Sequence, residues 1–296
     1  MPRTRESLID FRTRHALYEL AVTNALPMAG FLFALHGHRP RVLREDFAGT
    51  GALARGWCQY GHDRGLAGQR SLASIAVDLN ARVFTLGRRL AAQGTAHPAK
   101  VTFQRADVLV CADRADIIAA TNFPVGYLHT RKALVAYLRH ARTCLKSKGV
   151  FVCDMYGGSK AFEVGTTRQR VRAGPGKQFV YTFVYIWEQE ICEPLTGMVT
   201  NHIHFELPAR SRSQFQQTNK FQKAKTSVIR NAFTYRWRLW SIPELRDAML
   251  EAGFRTVEVY DRLADGIDGE GNVYVQPLGE SDRLDDPFVV YVAARK

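Results

Sequence analysis

The chain has 296 residues, enough for one large α/β domain with an insertion or for two small domains. Its 46% hydrophobic content argues against wholesale disorder, no apolar run approaches the ~20 residues of a membrane helix, and Met1–Glu6 lacks the apolar core of a secretory signal. Lys and Arg exceed Asp and Glu, 41 to 28, for a net charge of +13. Five cysteines (Cys58, Cys111, Cys144, Cys153, Cys192) form no Cys-x-x-Cys pair. That argues against zinc or a disulfide framework, and for buried thiols in a reducing compartment with a cytoplasmic location.

Residues 5–22 read as a helix on the spacing of Leu8, Phe11, His15, Leu17, Tyr18, Leu20 and Ala21. Pro27 interrupts, and Phe31–Leu35 is a second apolar stretch, so 1–40 reads as a helical preface. Arg41–Glu45 is a first strand and Phe47–Gly51 a tight turn, with a helix from Ala52 to about Tyr60. Gly49 and Gly51 allow backbone angles and close approach that other residues forbid. Such a strand–loop–helix corner binds nucleotide-like ligands, and the missing Gly-Lys-Ser/Thr ending excludes a Walker phosphate loop. Ser74–Val77 is a second strand ending at Asp78, a place from which a carboxylate can accept both hydroxyls of a ribose. At this point a dinucleotide-binding dehydrogenase fits equally well. A helix follows from about Ala81 to Gln93, then a strand Val101–Arg105 leading to Asp107 and Val108. Ala115–Ala120 is a buried strand that opens into Thr121-Asn122-Phe123-Pro124. Helix Thr130–Leu145 precedes strand Gly149–Asp154, which runs on to Tyr156. Strands one, two, three and five end in acids, and strand four is followed by an amide.

The stretch Glu45-Asp46-Phe47-Ala48-Gly49-Thr50-Gly51, taken with Asp78 and Asp107, resembles the class I (seven-strand, Rossmann-like) S-adenosylmethionine-dependent methyltransferases. Their first motif is an acid followed by Gly-x-Gly-x-Gly after the first strand. Glu45 stands in the acidic place and Gly49 and Gly51 in the last two glycine places. Phe47 replaces the first glycine, a departure where the loop passes the methionine part of the ligand. The resemblance covers about residues 40–155 and 241–296. It implies an S-adenosyl-L-methionine cofactor held by Glu45, Asp46, Phe47, Gly49, Gly51, Asp78 and Leu79. It places Asp107 and Val108 beside the adenine amino group and Asn122 at the border of the methyl-transfer site.

After the fifth strand the pattern changes. Phe179–Trp187, Met198–Leu207 and Ala232–Ser241 alternate in the manner of antiparallel strands, with a turn at Glu193–Gly197. Residues 159–240 thus read as an inserted antiparallel β lid over the ligand-binding edge. Its charge is one-sided: Arg168, Arg170, Arg172 and Lys177, then Arg210, Arg212, Lys220, Lys223, Lys225 and Arg230, lie in segments without acids. Ser241-Ile242-Pro243-Glu244 starts a helix that ends at Gly253. The strands Phe254–Tyr260 and Phe288–Ala294 close the core, which the family pairs antiparallel. The expected fold class is therefore α/β, a seven-stranded mostly parallel doubly wound sheet with helices on both faces, built from 41–158 and 241–296.

Methyl transfer from a sulfonium is an in-line displacement that needs alignment and, for some acceptors, removal of a proton, but no metal. Catalytic candidates are Asn122, Asp154 and Tyr156. Candidates for holding an acceptor are Tyr18, Tyr127, Trp187, His204, Arg238 and Trp240. The preferred reading is a small-molecule acceptor under an aromatic lid. The alternatives are RNA or another polyanion bound through the basic segments, and a non-catalytic S-adenosylmethionine-binding protein. No membrane partner is expected.

Overall fold

The computed structural model describes residues 11–37, 39–66, 68, 71–94, 100–173, 181–208 and 227–296. The expected helix start before residue 11, the strand start at Phe179–Val180 and the basic loop after Pro208 lie outside these. The chain forms two compact units: a core from Asn24–Ala161 with Arg238–Lys296, and an inserted unit from Phe162–Trp237 together with the chain up to Thr23. The helical preface is thereby divided. Helix α1 (Phe11–Val22) packs in the inserted unit through Leu17, whereas α2 (Ala25–His36), apolar on most of its surface, is buried in the core. Pro27 lies in the first turn of α2, where a missing N–H is harmless, so it opens that helix rather than interrupting one.

The core is a seven-stranded sheet. Its elements in chain order are β1 (Val42–Asp46), α3 (Ala52–Asp63), β2 (Ala73–Asp78), α4 (Ala81–Gly94), β3 (Val101–Arg105), β4 (Ala115–Ala120), α5 (Arg131–Cys144) and β5 (Leu145–Gly157). The core resumes after the insertion with α6 (Ile242–Glu251), β10 (Thr256–Tyr260), a small hairpin of β11 (Gly266–Ile267) and β12 (Val273–Tyr274), and β13 (Phe288–Arg295). The sheet order is β10-β13-β5-β4-β1-β2-β3, with β13 antiparallel to β5 and β10 and the other pairs parallel. Parallel strands are covered on both faces, which is why they read as near-continuous apolar runs. On one face Ile118, Phe151, Val290 and Val292 meet Leu134, Tyr137 and Leu138 of α5 and Leu245 and Met249 of α6. On the other, Leu43, Ile117, Val150 and Val152 meet Phe31, Leu32 and Leu35 of α2 and Leu53 and Trp57 of α3. Helix α6 begins as its sequence dictates. The Ser241 hydroxyl accepts from the Glu244 amide, and the Glu244 carboxylate accepts from Ser241 N–H at 2.8 Å.

The inserted unit is a four-stranded antiparallel sheet in the order β6 (Gly165–Ala173), β7 (Tyr181–Glu193), β8 (Met198–Leu207), β9 (Ser227–Arg238). Three strands were expected; the fourth is β6, whose exposed Thr and Arg residues hide its β character. It is an edge strand, and charge on an edge discourages pairing with other chains. Phe183, Ile203, Phe205 and Leu207 pack with Leu17 beneath the aromatic residues Tyr185, Trp187, Phe233 and Tyr235. Among the described residues no single helix is long and apolar enough to cross a membrane.

Candidate functional site

Strand order in the core reverses at β1: β2 and β3 lie to one side, β4 and β5 to the other. At such a reversal the chain leaves neighbouring strands in opposite directions, which opens a crevice at their carboxyl ends. The turns that border this crevice carry most of the residues singled out from sequence.

The two acids ending β1 point to opposite faces, because side chains alternate across a strand. Glu45 turns towards α3, where its Oε2 accepts the Ala54 amide at 2.8 Å in the helix's first turn. A carboxylate there satisfies an otherwise orphan donor and faces the positive end of the helix dipole. Asp46 turns the other way. Arg44 Nε and one terminal nitrogen grip its two oxygens at 2.8 and 3.0 Å, and the Tyr137 hydroxyl donates to Oδ2 at 2.8 Å. The other terminal nitrogen of Arg44 donates to the carbonyls of Cys111 and Asp113, both at 3.0 Å. Arg44 and Asp46 are 0% and 1% exposed. Burial opposes the Arg44 charge, but Asp46 overcomes it and holds that guanidinium above its ordinary pKa. The Asp46 side chain is therefore a structural counter-ion inside the core.

The following loop is fixed by backbone bonds. Ala48 donates to Val77 O at 2.9 Å and Gly51 to Ala48 O at 2.8 Å. Phe47, at φ 56°, keeps the left-handed conformation without a glycine, and its ring stacks on Tyr127 at 6.5 Å. Gly51, at φ 70°, is sterically required: a Cβ there would lie 2.9 Å from Phe103. Gly49, at φ 53°, borders open space, for a Cβ on it would meet nothing within 4 Å.

Asp78 is tied to this loop. Its Oδ2 accepts the Gly49 amide and its Oδ1 the Asn80 amide, each at 2.8 Å. Each carboxylate oxygen has a second lone pair, so Asp78 can anchor the loop and still accept a diol. Asp107 Oδ1 accepts the Leu109 amide at 2.9 Å, forming a local Asx turn. Val108 is buried in the core, not at the edge. Its neighbours Leu109 and Val110 are exposed, the latter at 71%, as is Leu79 at 65%. These three apolar side chains beside two acids suit the face of a flat base. Leu109 and Val110 were missed from sequence; an apolar pair continuing past Asp107-Val108, where a turn favours polar residues, was the available signal.

Beyond β4, Asn122 and Phe123 both take positive φ, 70° and 65°. Their amides donate to Asp154 Oδ2 and Oδ1 at 2.8 and 2.7 Å. Asp154 is only 5% exposed; burial outweighs these two hydrogen bonds and pushes its carboxyl up to about 7. Asn122 is exposed, Phe123 meets Tyr156 edge-on at 5.1 Å, and Tyr127 is exposed in the short 3-10 turn Pro124–Tyr127. Glu45, Gly49, Asp78, Asp107, Asn122, Tyr127 and Tyr156 thus share the carboxyl edge of one sheet.

The other candidates lie elsewhere. Trp240 is 3% exposed, and its indole donates to Val125 O at 3.3 Å. Arg238 stacks over Trp240 at 3.9 Å, pairs with Glu244 at 3.2 Å and donates to His129 O. Both residues fasten the returning chain to the core. Tyr18, Trp187 and His204 belong to the inserted unit. Tyr18 packs on Phe233, and Trp187 stacks with Tyr235 and meets Trp237. His204 Nδ1 accepts the Asn231 amide at 2.9 Å, so Nε2 carries the proton that reaches Glu188 at 2.7 Å.

No protein-family model matches the sequence, and no curated protein matches it. Solved structures do resemble the whole chain. One is an S-adenosylmethionine-dependent methyltransferase from Clostridium acetobutylicum, with a TM-score of 0.62 and 13% identity over 96% of this chain and 98% of that one. A second is the CcbJ methyltransferase from Streptomyces caelestis, at 0.61 and 17% over 93% and 97%. A third is CalS10, an amino pentose methyltransferase from Micromonospora echinaspora solved with S-adenosylmethionine bound, at 0.61 and 13% over 96% and 97%. At these identities the likeness establishes the fold: the chain has the class I methyltransferase architecture, seven-stranded sheet and antiparallel insertion included.

Proposed function

We propose that this chain is an S-adenosyl-L-methionine-dependent methyltransferase for a small-molecule acceptor. The observation that carries the reading is the crevice at β1 and β4. There a glycine bordering open space, three carboxylates on successive strand ends and three exposed apolar side chains occupy one edge. That set fits the cofactor's parts. Asp78 would accept the ribose hydroxyls, Leu79, Leu109 and Val110 would cover the adenine, and Asp107 would lie near its amino group. Gly49 leaves room for the methionine portion. Bound there, the cofactor supplies an activated methyl group on sulfur.

The chain's own residues then have to align the acceptor and keep its attacking atom free of a proton. Asn122 and Tyr156, at the ends of β4 and β5, are assigned the alignment. Asp154 is not assigned proton abstraction, since both its oxygens are engaged and it is almost wholly buried. The aromatic lid belongs to the same proposal. It is supported by connectivity, for the chain leaves the core at the carboxyl end of β5 and rejoins it at Arg238–Trp240, fastened to the segment after β4. Amino and hydroxyl groups on sugar-like acceptors are the first class to test, because CalS10 is an amino pentose methyltransferase.

Calorimetry with S-adenosylmethionine and its demethylated product, followed by transfer of labelled methyl to a panel of amines and alcohols, tests the reading. Absence of cofactor binding by a folded chain would overturn it. The exposed arginines of β6, Arg170 and Arg172 beside the Glu206-paired Arg168, favour a second reading, an RNA or other polyanionic acceptor. Salt-dependent retention on RNA with methyl incorporation would select it. Cofactor binding with no transfer to either class would leave a non-catalytic binding protein.

A further inference from the structure

We infer that Asp154 is a positioning residue: from the neighbouring strand it clamps the two strained residues after β4, and so sets the wall of the crevice that Asn122 presents. The inference rests on the methyltransferase reading only for what the crevice binds. The clamp itself stands on geometry. Two consecutive non-glycine residues with φ near 70° and 65° are strained and persist only where their surroundings over-determine them. Here one carboxylate reaches both residues, one oxygen on each amide, at 2.8 and 2.7 Å. The turn continues into Pro124, whose ring favours extended angles for Phe123 and so adds to the strain, while Phe123 O accepts the Gly126 amide at 3.0 Å. The amides are thus drawn inward under the edge while the Asn122 side chain stays exposed.

This arrangement makes the wall sensitive to one proton. An ionised Asp154 offers two charged acceptors; protonation makes one oxygen a hydroxyl, a much weaker acceptor for an amide N–H. The groups around it do not hold the charge. Tyr291, opposite on β13, and Cys153, next to it on β5, are both kept neutral by burial, with Asp154 itself a further cause. Among the described residues no Lys, Arg or His pairs with Asp154, and β4 ends with the apolar Ala120 opposite the adjoining Cys153. The carboxyl pushed up to about 7 therefore titrates in the neutral range. Above that range the turn is clamped firmly on both amides, and below it firmly on one only.

The test uses the full chain. Amide-exchange protection of Asn122 and Phe123 is followed by NMR between about pH 5.5 and 8.5, with cofactor affinity measured by calorimetry at the same points. In the wild type the amide facing the protonated oxygen loses protection as pH falls through about 7, and affinity drops about tenfold. Asp154→Asn, which keeps the shape with one acceptor, shows the low-pH behaviour throughout and a flat profile. Protection that ignores pH in the wild type overturns the clamp, and so does an unchanged pH step in Asp154→Asn. Should that variant fail to fold, the wild-type titration decides alone. A wild type that binds no cofactor at any pH overturns the functional reading instead, and the two amides still judge the clamp.

Discussion

Replacing Arg44 by Met asks whether Asp46 serves the core or the ligand. The change removes two hydrogen bonds to a carboxylate that is 1% exposed, along with the donor to the Cys111 and Asp113 carbonyls. Breaking one side of a buried pair typically costs about 3–5 kcal/mol, because an uncompensated charge stays behind. Since a domain's whole stability is about 5–15 kcal/mol, the urea midpoint should fall by about a fifth or more of its value. Replacing both partners, Arg44→Met with Asp46→Leu, should recover most of that loss. A deficit of about 1–3 kcal/mol should remain, because the Tyr137 hydroxyl then has no acceptor at Asp46; adding Tyr137→Phe removes it. The measurements are urea unfolding followed by circular dichroism and, on every folded variant, cofactor affinity by calorimetry. An Asp46→Asn chain as stable as the wild type but tenfold weaker for the cofactor would refute the reasoning and return Asp46 to the site.

Further changes probe the edge itself. Asp78→Ala should weaken cofactor binding by about 1.5–3 kcal/mol, the worth of hydrogen bonds to a charged group, and calorimetry showing unchanged affinity would remove Asp78 from the site. Gly51→Ala places a methyl 2.9 Å from Phe103 at φ 70° and should destabilise the core by about 1–3 kcal/mol, read as a lowered urea midpoint at constant m. Tyr156→Phe should reduce single-turnover rate more than cofactor affinity; equal losses would place Tyr156 outside acceptor alignment. Asp154 has a folded pKa of about 7, above the unfolded carboxylate's ~3.9, so its contribution to stability is fully present below about pH 4 and lost as pH rises to about 7. Asp154→Asn should therefore flatten the fall in urea-derived stability between those values, by roughly 2–4 kcal/mol, and an unaltered slope would show that the group does not titrate there.

The sheet was legible because each signal was local. Apolar runs between helical patterns, the Gly49–Gly51 turn and the Ser241–Glu244 box all act within a few residues. What sequence hid are partners brought from afar. Nothing near Asp46 announces Tyr137 on α5 or the carbonyls of Cys111 and Asp113, so two adjacent acids looked alike until the pleat separated them. Asp154 looked reactive because its clamp on Asn122 and Phe123 is a tertiary contact. Arg238 and Trp240 looked free to bind because Val125 and His129, which hold them, lie more than a hundred residues earlier. Strand β6 escaped because its exposed arginines and threonines answer to solvent on an edge, not to a core.

The position of β13 has a consequence for how the protein is made. It pairs along β5 over eight residues, from Gly157 opposite Phe288 to Val150 opposite Arg295, yet roughly 130 residues separate the two strands in the chain. At ribosomal speeds of about 5–20 residues per second, β5 waits on the order of ten seconds with one edge open. Its open edge in that interval runs along Phe151-Val152-Cys153, an apolar row that templates pairing with any passing strand. The inserted sheet, closed by neighbouring hairpins, completes itself during the same interval. Yield in a cell should thus depend less on the finished molecule's stability than on what shields β5 while the last strand is still being synthesised.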